Sequence, residues 1–504
     1  MTADKKIRTR FAPSPTGFVH IGSLRTALFA FLFARHNNGV NALRIEDTDQ
    51  NRFVEGSLEN MLKVFKELGI DFDEGPYTEN GQIKQRGDFG PYIQSERKDK
   101  GIYQKYAEQL VQERKAYYCF CSEQRLEEMR KEQMALKKPP MYDRRCRNLT
   151  ADEIKKQLDE FKIAGKNPVI RFAVPLEGTT TIHDVIYGDI TYENKILDDQ
   201  VILKSDGFPT YHLAVVVDDH HMQITHVIRG EEWIPSTPKH LLIYEALGWT
   251  PTQFAHLPLI VNADKTKLSK RQGDVAVEDY LKKGYLPEVL INFMVLLGWN
   301  SKTEQEIFSL QELIEQFSLE KVHNSNAVFD TNKLDWISGQ YIRQKSDAEL
   351  AELLKPYWEK SGIKIKTFSD EYLQAIAGLE KERLKKLSEI GERTAYFFKA
   401  PDYDASMLIW KKSDKEKTKL VLSDLLVLFN QFNAGDFDKL ILEQKLKEFI
   451  AEKNYDNGSV LWPLRVALTG QEKSPGPFEV CATLALGLGK QEILSRLNSA
   501  VEKL

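Results

Sequence analysis

Three groups of residues in this 504-residue chain have the types and spacing to do chemistry. The first is His20-Ile-Gly-Ser23, set between a proline-rich arm and the apolar residues 26–34. Pro13 and Pro15 fix their own φ and push Ala12 and Ser14 toward extended geometry, while Gly17 permits a turn. Leu24, Leu28, Phe31 and Leu32 then recur at helical spacing. The segment therefore reads as strand, turn and helix, with His20, Gly22 and Ser23 at the helix entrance. Unpaired N–H groups and the positive dipole end make such an entrance an anion site. Gly22 lets a nucleotide approach the backbone, and His20 has an N–H to donate to phosphate oxygens. A histidine that simply packs at a helix start is the alternative reading.

The second group is NADKTKLSKRQGD, residues 262–274, where Lys267, Lys270 and Arg271 surround Ser269 ahead of Gly273. Ammonium groups neutralise polyphosphate charge, and Ser269 adds a hydroxyl donor. The alternative is a solvated lysine run. The third group is Cys119, Cys121 and Cys146, three of the four cysteines within 28 residues. Adjacent positions of this kind pair badly with each other and suit thiolate ligation of zinc, with three free thiols as the alternative.

These groups need scaffolds to hold them, and the composition supplies material for several. The chain exceeds what one core normally supports, so two to four domains are expected. It is 42% hydrophobic and 29% charged with a net charge of −4, an ordinary soluble balance in which any RNA site is a local patch. The opening MTADKKIRTRF has no apolar core of a secretory leader, and the apolar runs are too short to span a bilayer. Four cysteines do not make a disulfide framework, so the expected setting is cytoplasmic, without membrane. Short strands are predicted in PVIRFAV, TTTIHDV, GDITYEN and QVILKS, and helices dominate from about residue 275 onward.

The two phosphate-suited groups, taken together, resemble the two ATP motifs of class I aminoacyl-tRNA synthetases. RFAPSPTG (10–17), RIEDTD (44–49), FPTYHLA (208–214), HVIRGEEW (226–233) and LRVALTG (464–470) narrow the resemblance to bacterial-type glutamyl-tRNA synthetases, in that family's order and over essentially the whole chain. Ala12 and Ser14 stand where the glutaminyl relatives carry a bulkier, acidic version.

The resemblance implies an α/β Rossmann-type catalytic domain (1–100 and 205–274) with an inserted α+β acceptor-binding domain (101–204). A stem-contacting helical region (275–345) and an all-helical anticodon-binding region (346–504) follow. It implies ATP-dependent ligation of L-glutamate to tRNA(Glu) through a glutamyl-adenylate, with Mg²⁺ on the ATP, by a monomer. Charging of tRNA(Gln) with glutamate is a further activity it leaves open. His20, Lys267 and Lys270 would be catalytic. Gly22, Ser23, Glu232 and Ser269 would join them in holding ATP. Arg10, Ala12, Ser14, Glu46, Tyr211, Val215, Arg229 and Trp233 would form the glutamate pocket. Val215 is a departure, because some members carry an asparagine there. Structural zinc would be held by Cys119, Cys121, Cys146 and Tyr142, since the histidine position of some relatives is Asn148 here. Arg383 would read the third anticodon base. The competing classes are a small-molecule nucleotidyltransferase, usually much shorter, and a non-catalytic tRNA-binding relative, against which the intact His20, Lys267, Lys270, Arg10 and Glu46 argue.

Overall fold

The prolines and Gly17 divide the first segment as the sequence predicts. Strand β1 (Arg8–Phe11) stops before Ala12, residues 12–15 adopt no regular element, and α1 (Ile21–His36) begins just after His20. Gly17 has φ of 131° with open space where a Cβ would stand, so backbone conformation rather than crowding requires glycine there. The computed structural model describes residues 6–266, 268 and 275–504. Lys267, Ser269, Lys270, Arg271 and Gly273 therefore lie outside the described residues.

The described chain forms two compact units. One comprises residues up to Tyr280 with Leu290–Asp330, the other Leu281–Val289 with Thr331–Leu504. In the first unit, α1 crosses over between β1 and its parallel partner β2 (Val40–Leu43). Next come the hairpin of β3 (Thr179–Asp184) and β4 (Gly188–Glu193), and then helix α2 (Tyr211–His221). Strand β5 (His226–Gly230) and, after helix α3 (Thr237–Ala246), strand β6 (Gln253–Leu257) pair in parallel. Thr225 donates its N–H to the Arg8 carbonyl at 2.9 Å, which sets β1 beside the start of β5. The chain thus turns one way from β1 and the other way from β5, and a crevice opens at their carboxyl ends, the usual place for a ligand in such sheets.

The hairpin β3–β4 lies apart from the other strands predicted near it. Ala116–Cys119, Val169–Phe172 and Val201–Leu203 make a separate three-stranded sheet, whereas β3 pairs with β6 at Asp184 and Phe254. Part of the region expected to contact the tRNA stem also packs in the first unit. Phe317 sits edge-on to Phe29 of α1 at 5.2 Å and stacks near Trp299, and His36 bonds the Ile314 carbonyl at 2.9 Å.

Strand β1 reads as polar, Arg-Thr-Arg-Phe, yet all four residues are buried. It tolerates burial because its polar groups are paired. Arg8 forks onto Glu74, Thr9 bonds the Ala30 carbonyl, and Arg10 bonds Asp219 at 3.2 Å. Asp218 and Asp219, at the end of α2, anchor a wider network. Asp219 accepts from Arg44 at 2.6 Å, and Asp218 accepts from Arg97 at 2.6 Å, Gln94 at 2.8 Å and Tyr103 at 2.9 Å.

The second unit is helical, with no strand among its described residues. Ser346 closes a capping box at the start of Asp347–Lys360, and that helix continues through Pro356. Trp358 seats against Thr394 by a 2.9 Å hydrogen bond and edge-on to Phe398.

Asp218→Ala would leave the Arg97 guanidinium buried without its nearest carboxylate. The expected cost is about 3–5 kcal/mol, seen as a lowered denaturation midpoint, against little change for the exposed Asp206→Ala.

Candidate functional site

A cleft of about 480 Å³ opens at the carboxyl ends of β1 and β5. Its lining contains eleven of the residues singled out from sequence. Arg10, Ala12 and Ser14 come from β1 and the arm after it, and His20, Gly22 and Ser23 from the start of α1. Glu46 follows β2, Tyr211 opens α2, and Arg229, Glu232 and Trp233 lie at the end of β5 and just beyond it.

His20 caps α1 with its own ring, accepting the Gly22 N–H on Nδ1 at 2.9 Å. A backbone N–H can only donate, so Nδ1 carries a lone pair and the ring proton sits on Nε2. A Cβ on Gly22 would stand 3.3 Å from Nδ1, so glycine also gives the ring room to fold over the helix end. Backbone bonds from Ile21 to Val275 and from Val277 to Val19 tie the segment after residue 274 to this entrance, and Leu268 lines the cleft. Leu268 and Val275 thus lie at the cleft and at the helix entrance, respectively. Arg25, which sequence reading missed, also lines the cleft. Burial lowers its pKa to about 10, against the opposing pull of Glu232 and Glu231.

The charged groups leave specific atoms to the cleft. Arg10 uses Nε on Asp219, and its two Nη atoms have no hydrogen-bond partner among the described residues. Glu46 receives Arg44 on Oε1 at 2.8 and 3.3 Å, leaving Oε2 without a partner among the described residues. Burial pushes the Glu46 carboxyl up, with Arg44 and Arg10 opposing. Burial acts the same way on Asp219, but there Arg10 and Arg44 outweigh it and hold the carboxyl below its ordinary range. Arg44, though inside a motif singled out from sequence, is a second missed residue. Burial works against its charge, and Asp219, Glu46 and Asp218 together more than restore it.

Arg229 has no carboxylate partner among the described residues. It donates to the Tyr211 hydroxyl at 2.9 Å, the Thr237 hydroxyl at 2.7 Å and His256 Nε2 at 3.1 Å, with His240 Nδ1 at 3.5 Å. Burial lowers its pKa as well as those of the histidines beneath it, His240 far below the usual range and His212 to about 3. Arginine N–H groups only donate, so His256 Nε2 and His240 Nδ1 face Arg229 with lone pairs and, with the two hydroxyls, surround it with acceptors that carry no negative charge. Trp233 lies tilted against Tyr211, ring centroids 4.4 Å apart, and walls the cleft. Val215 is separated from these residues. One turn beyond Tyr211, it is absent from the cleft lining and packs in the core with Leu213, Ala214 and Val216, because its apolar side chain belongs to the buried face of α2.

The cysteines converge as their clustering suggests. The Sγ atoms of Cys119, Cys121 and Cys146 all lie within 4.8 Å of one another. The Tyr142 hydroxyl is 3.5 Å from Cys119 Sγ and 3.3 Å from Cys121 Sγ, and it accepts the Cys146 N–H at 3.1 Å. The cluster is buried beside the sheet containing Cys119, and none of the four lines the cleft. In the second unit, Arg383 follows helix Asp370–Glu380 and is held by Glu380 at 2.9 Å and the Lys473 carbonyl at 3.0 Å, with its side chain partly exposed.

Comparison with known proteins places this arrangement in a family. Residues 6–336 match the family described as tRNA synthetases class I (E and Q), catalytic domain, and residues 349–501 match the anticodon binding domain. A glutamate–tRNA ligase of Dehalococcoides mccartyi is 46% identical, over 99% of this chain and 98% of its own. One from Alkaliphilus metalliredigens is 45% identical over 99% and 100%. A crystal structure of a glutamate tRNA ligase from Elizabethkingia meningosepticum, in complex with its amino acid, superposes with a TM-score of 0.88 at 37% identity, covering 99% of both chains. With matches of this length, the chain belongs to the class I tRNA synthetases of the glutamate and glutamine group, as a member of the glutamate–tRNA ligases.

Proposed function

We propose that the protein joins L-glutamate to the terminal adenosine of tRNA(Glu) in two steps in this cleft. A glutamate α-carboxylate oxygen attacks the α-phosphorus of ATP and pyrophosphate leaves. The 2′-hydroxyl of the tRNA then attacks the acyl carbon and AMP leaves. The observation that carries this reading is the set of charged groups gathered on one cleft. Arg229 is surrounded by acceptors without negative charge, and among the described residues Arg10 has two unpartnered Nη atoms and Glu46 an unpartnered Oε2. Two cationic forks and one carboxylate oxygen complement a ligand with two carboxylates and an ammonium. A neutral amide in place of one carboxylate would leave a buried guanidinium unpaired, a basis for rejecting glutamine.

Ser14, Ala12, Tyr211 and Trp233 complete the amino-acid side of the cleft, and Gly22, Ser23 and Glu232 its nucleotide side. His20 presents Nε2–H at the positive end of α1, where charge builds on the phosphate during transfer. Lys267, Ser269 and Lys270 are assigned to the ATP phosphates with Mg²⁺. The same proposal assigns 1–100 and 205–274 to catalysis, 101–204 to the acceptor end, 275–345 to the stem and 346–504 to the anticodon, read by Arg383. Three thiols and a phenol converging on one point are a donor set suited to zinc, and Cys119, Cys121, Tyr142 and Cys146 would hold it. When bound, zinc supplies structural cross-linking there. We also propose a cytoplasmic monomer.

Labelled glutamate offered with purified tRNA(Glu) and tRNA(Gln) in parallel tests the reaction. Glutamate on tRNA(Glu) is expected, charging of tRNA(Gln) as well would mark a non-discriminating enzyme, and no charging of either would refute the proposal.

His20→Ala removes both the cap and the Nε2 donor, whereas His20→Asn keeps a good capping side chain without that donor. Both should lose about 10²–10³-fold in activation rate. Only the alanine variant should also lose about 1 kcal/mol of stability. An asparagine variant with full activity would remove His20 from the chemistry.

Elemental analysis of the purified chain is expected to find stoichiometric zinc, and Cys146→Ser should release it with a fall in thermal stability. Metal-free protein of unchanged stability would favour three free thiols.

A further inference from the structure

We infer that Asp184 and His256 are positioning residues that aim Arg229 into the cleft by fixing the tautomer of the histidine. The inference rests on the reading of Arg229 as a carboxylate-binding group. Arg229 Nε has a hydrogen and no lone pair, so its 3.1 Å bond to His256 Nε2 requires Nε2 to accept. The histidine proton therefore sits on Nδ1, and Asp184 Oδ2 receives it at 2.6 Å. Both side chains are fully buried and neither lines the cleft, so they act on a ligand only through the residues they hold, chiefly Arg229, with Thr237 also 3.2 Å from His256 Nε2.

The carboxylate is itself held in one orientation. Asp184 Oδ1 accepts the N–H groups of Ile186 and Tyr187, each at 2.9 Å, in the turn between β3 and β4, and Oδ2 also accepts the His256 N–H at 3.1 Å. Pairing of β3 with β6 at Asp184 and Phe254 brings the hairpin to this place. The opposite tautomer would set an Nε2–H against the Nε–H of Arg229. An aspartate bonded directly to Arg229 would occupy the donors a ligand needs. With a neutral imidazole between them, the negative charge supports Arg229 from behind and no carboxylate among the described residues cancels its charge, so the substrate carboxylate would be the first anion to meet it.

Asp184→Asn tests the relay. The amide oxygen can keep the two turn N–H groups on the Oδ1 side, which places its NH₂ against His256 Nδ1 and drives the ring proton to Nε2. In full-chain aminoacylation with tRNA present, KM for glutamate should rise about 10- to 100-fold, with KM for ATP unchanged. Adding His256→Gln to Asp184→Asn supplies an amide oxygen that accepts from Arg229 without a tautomer to control. KM for glutamate should then fall back toward the wild-type value. An unchanged KM in Asp184→Asn, an equal rise for glutamate and ATP, or a double variant no better than the single would overturn the relay. A second measurement needs no variant to keep its fold: ¹⁵N NMR of the histidines in the wild-type chain, where His256 should be the Nδ1–H tautomer and an Nε2–H signal would overturn the inference. Arg229→Lys separates the two levels. If it leaves KM for glutamate unchanged, the reading of Arg229 fails, whereas a rise there without one in Asp184→Asn sinks the relay alone.

Discussion

Burial of like-signed arginines near one another is the constraint on which this site depends. Arg10, Arg44 and Arg97 are all inside the first unit, and the carboxylates of Asp218 and Asp219 at the end of α2, with Glu46 on Arg44, make that tolerable. Desolvating a guanidinium is costly, and the cost is offset when a carboxylate of good geometry meets it and its remaining hydrogens are satisfied. Asp219 serves two arginines at once, which keeps its carboxyl ionised despite full burial. β1, the segment after β2 and α2 are therefore held together by charge as much as by apolar packing, and the cleft inherits their relative positions.

Against that compensated network, Arg229 is the exception that defines the cleft. Its neighbours are hydroxyls and neutral imidazoles, so its charge is supported by hydrogen bonds without being cancelled. In the proposed function, a ligand carboxylate entering the cleft would complete what the protein leaves incomplete. Arg44 and Arg97 are neutralised within the scaffold, whereas Arg10 keeps two Nη atoms without a partner among the described residues and Arg229 meets no carboxylate among them. Preorganised polar groups of this kind act strongly because no solvent or side chain must rearrange when the ligand arrives.

The same separation appears at the helix entrance. His20 satisfies α1 through Nδ1 and keeps its proton on Nε2, so one residue both terminates the orphan donors of the helix and carries the group suited to phosphate. Gly22 serves this geometry twice, by leaving room for the ring and by leaving the backbone approachable. The cysteine cluster, by contrast, belongs to the sheet that includes Cys119 and stands away from the cleft.

Much of this was legible in the sequence. Pro13, Pro15 and Gly17 determined where β1 ends and α1 begins, because each restricts or frees the backbone locally. Motif spacing brought out eleven cleft residues and the three cysteines, since those residue types are chosen for what they bind. Other features had no local signal. Strand β1 is polar in sequence and buried in fact, because its partners lie more than two hundred residues away in the case of Asp219. Val215 was placed with the ligand by its motif, but the buried face of α2 claims it for the core. Asp184 and His256 lie in segments whose chemistry is silent until β3 pairs with β6 and sets them behind Arg229. Local backbone restriction and side-chain chemistry are properties of sequence. Which charges compensate one another, and which are left for a ligand, is decided only when distant segments share a low-dielectric interior.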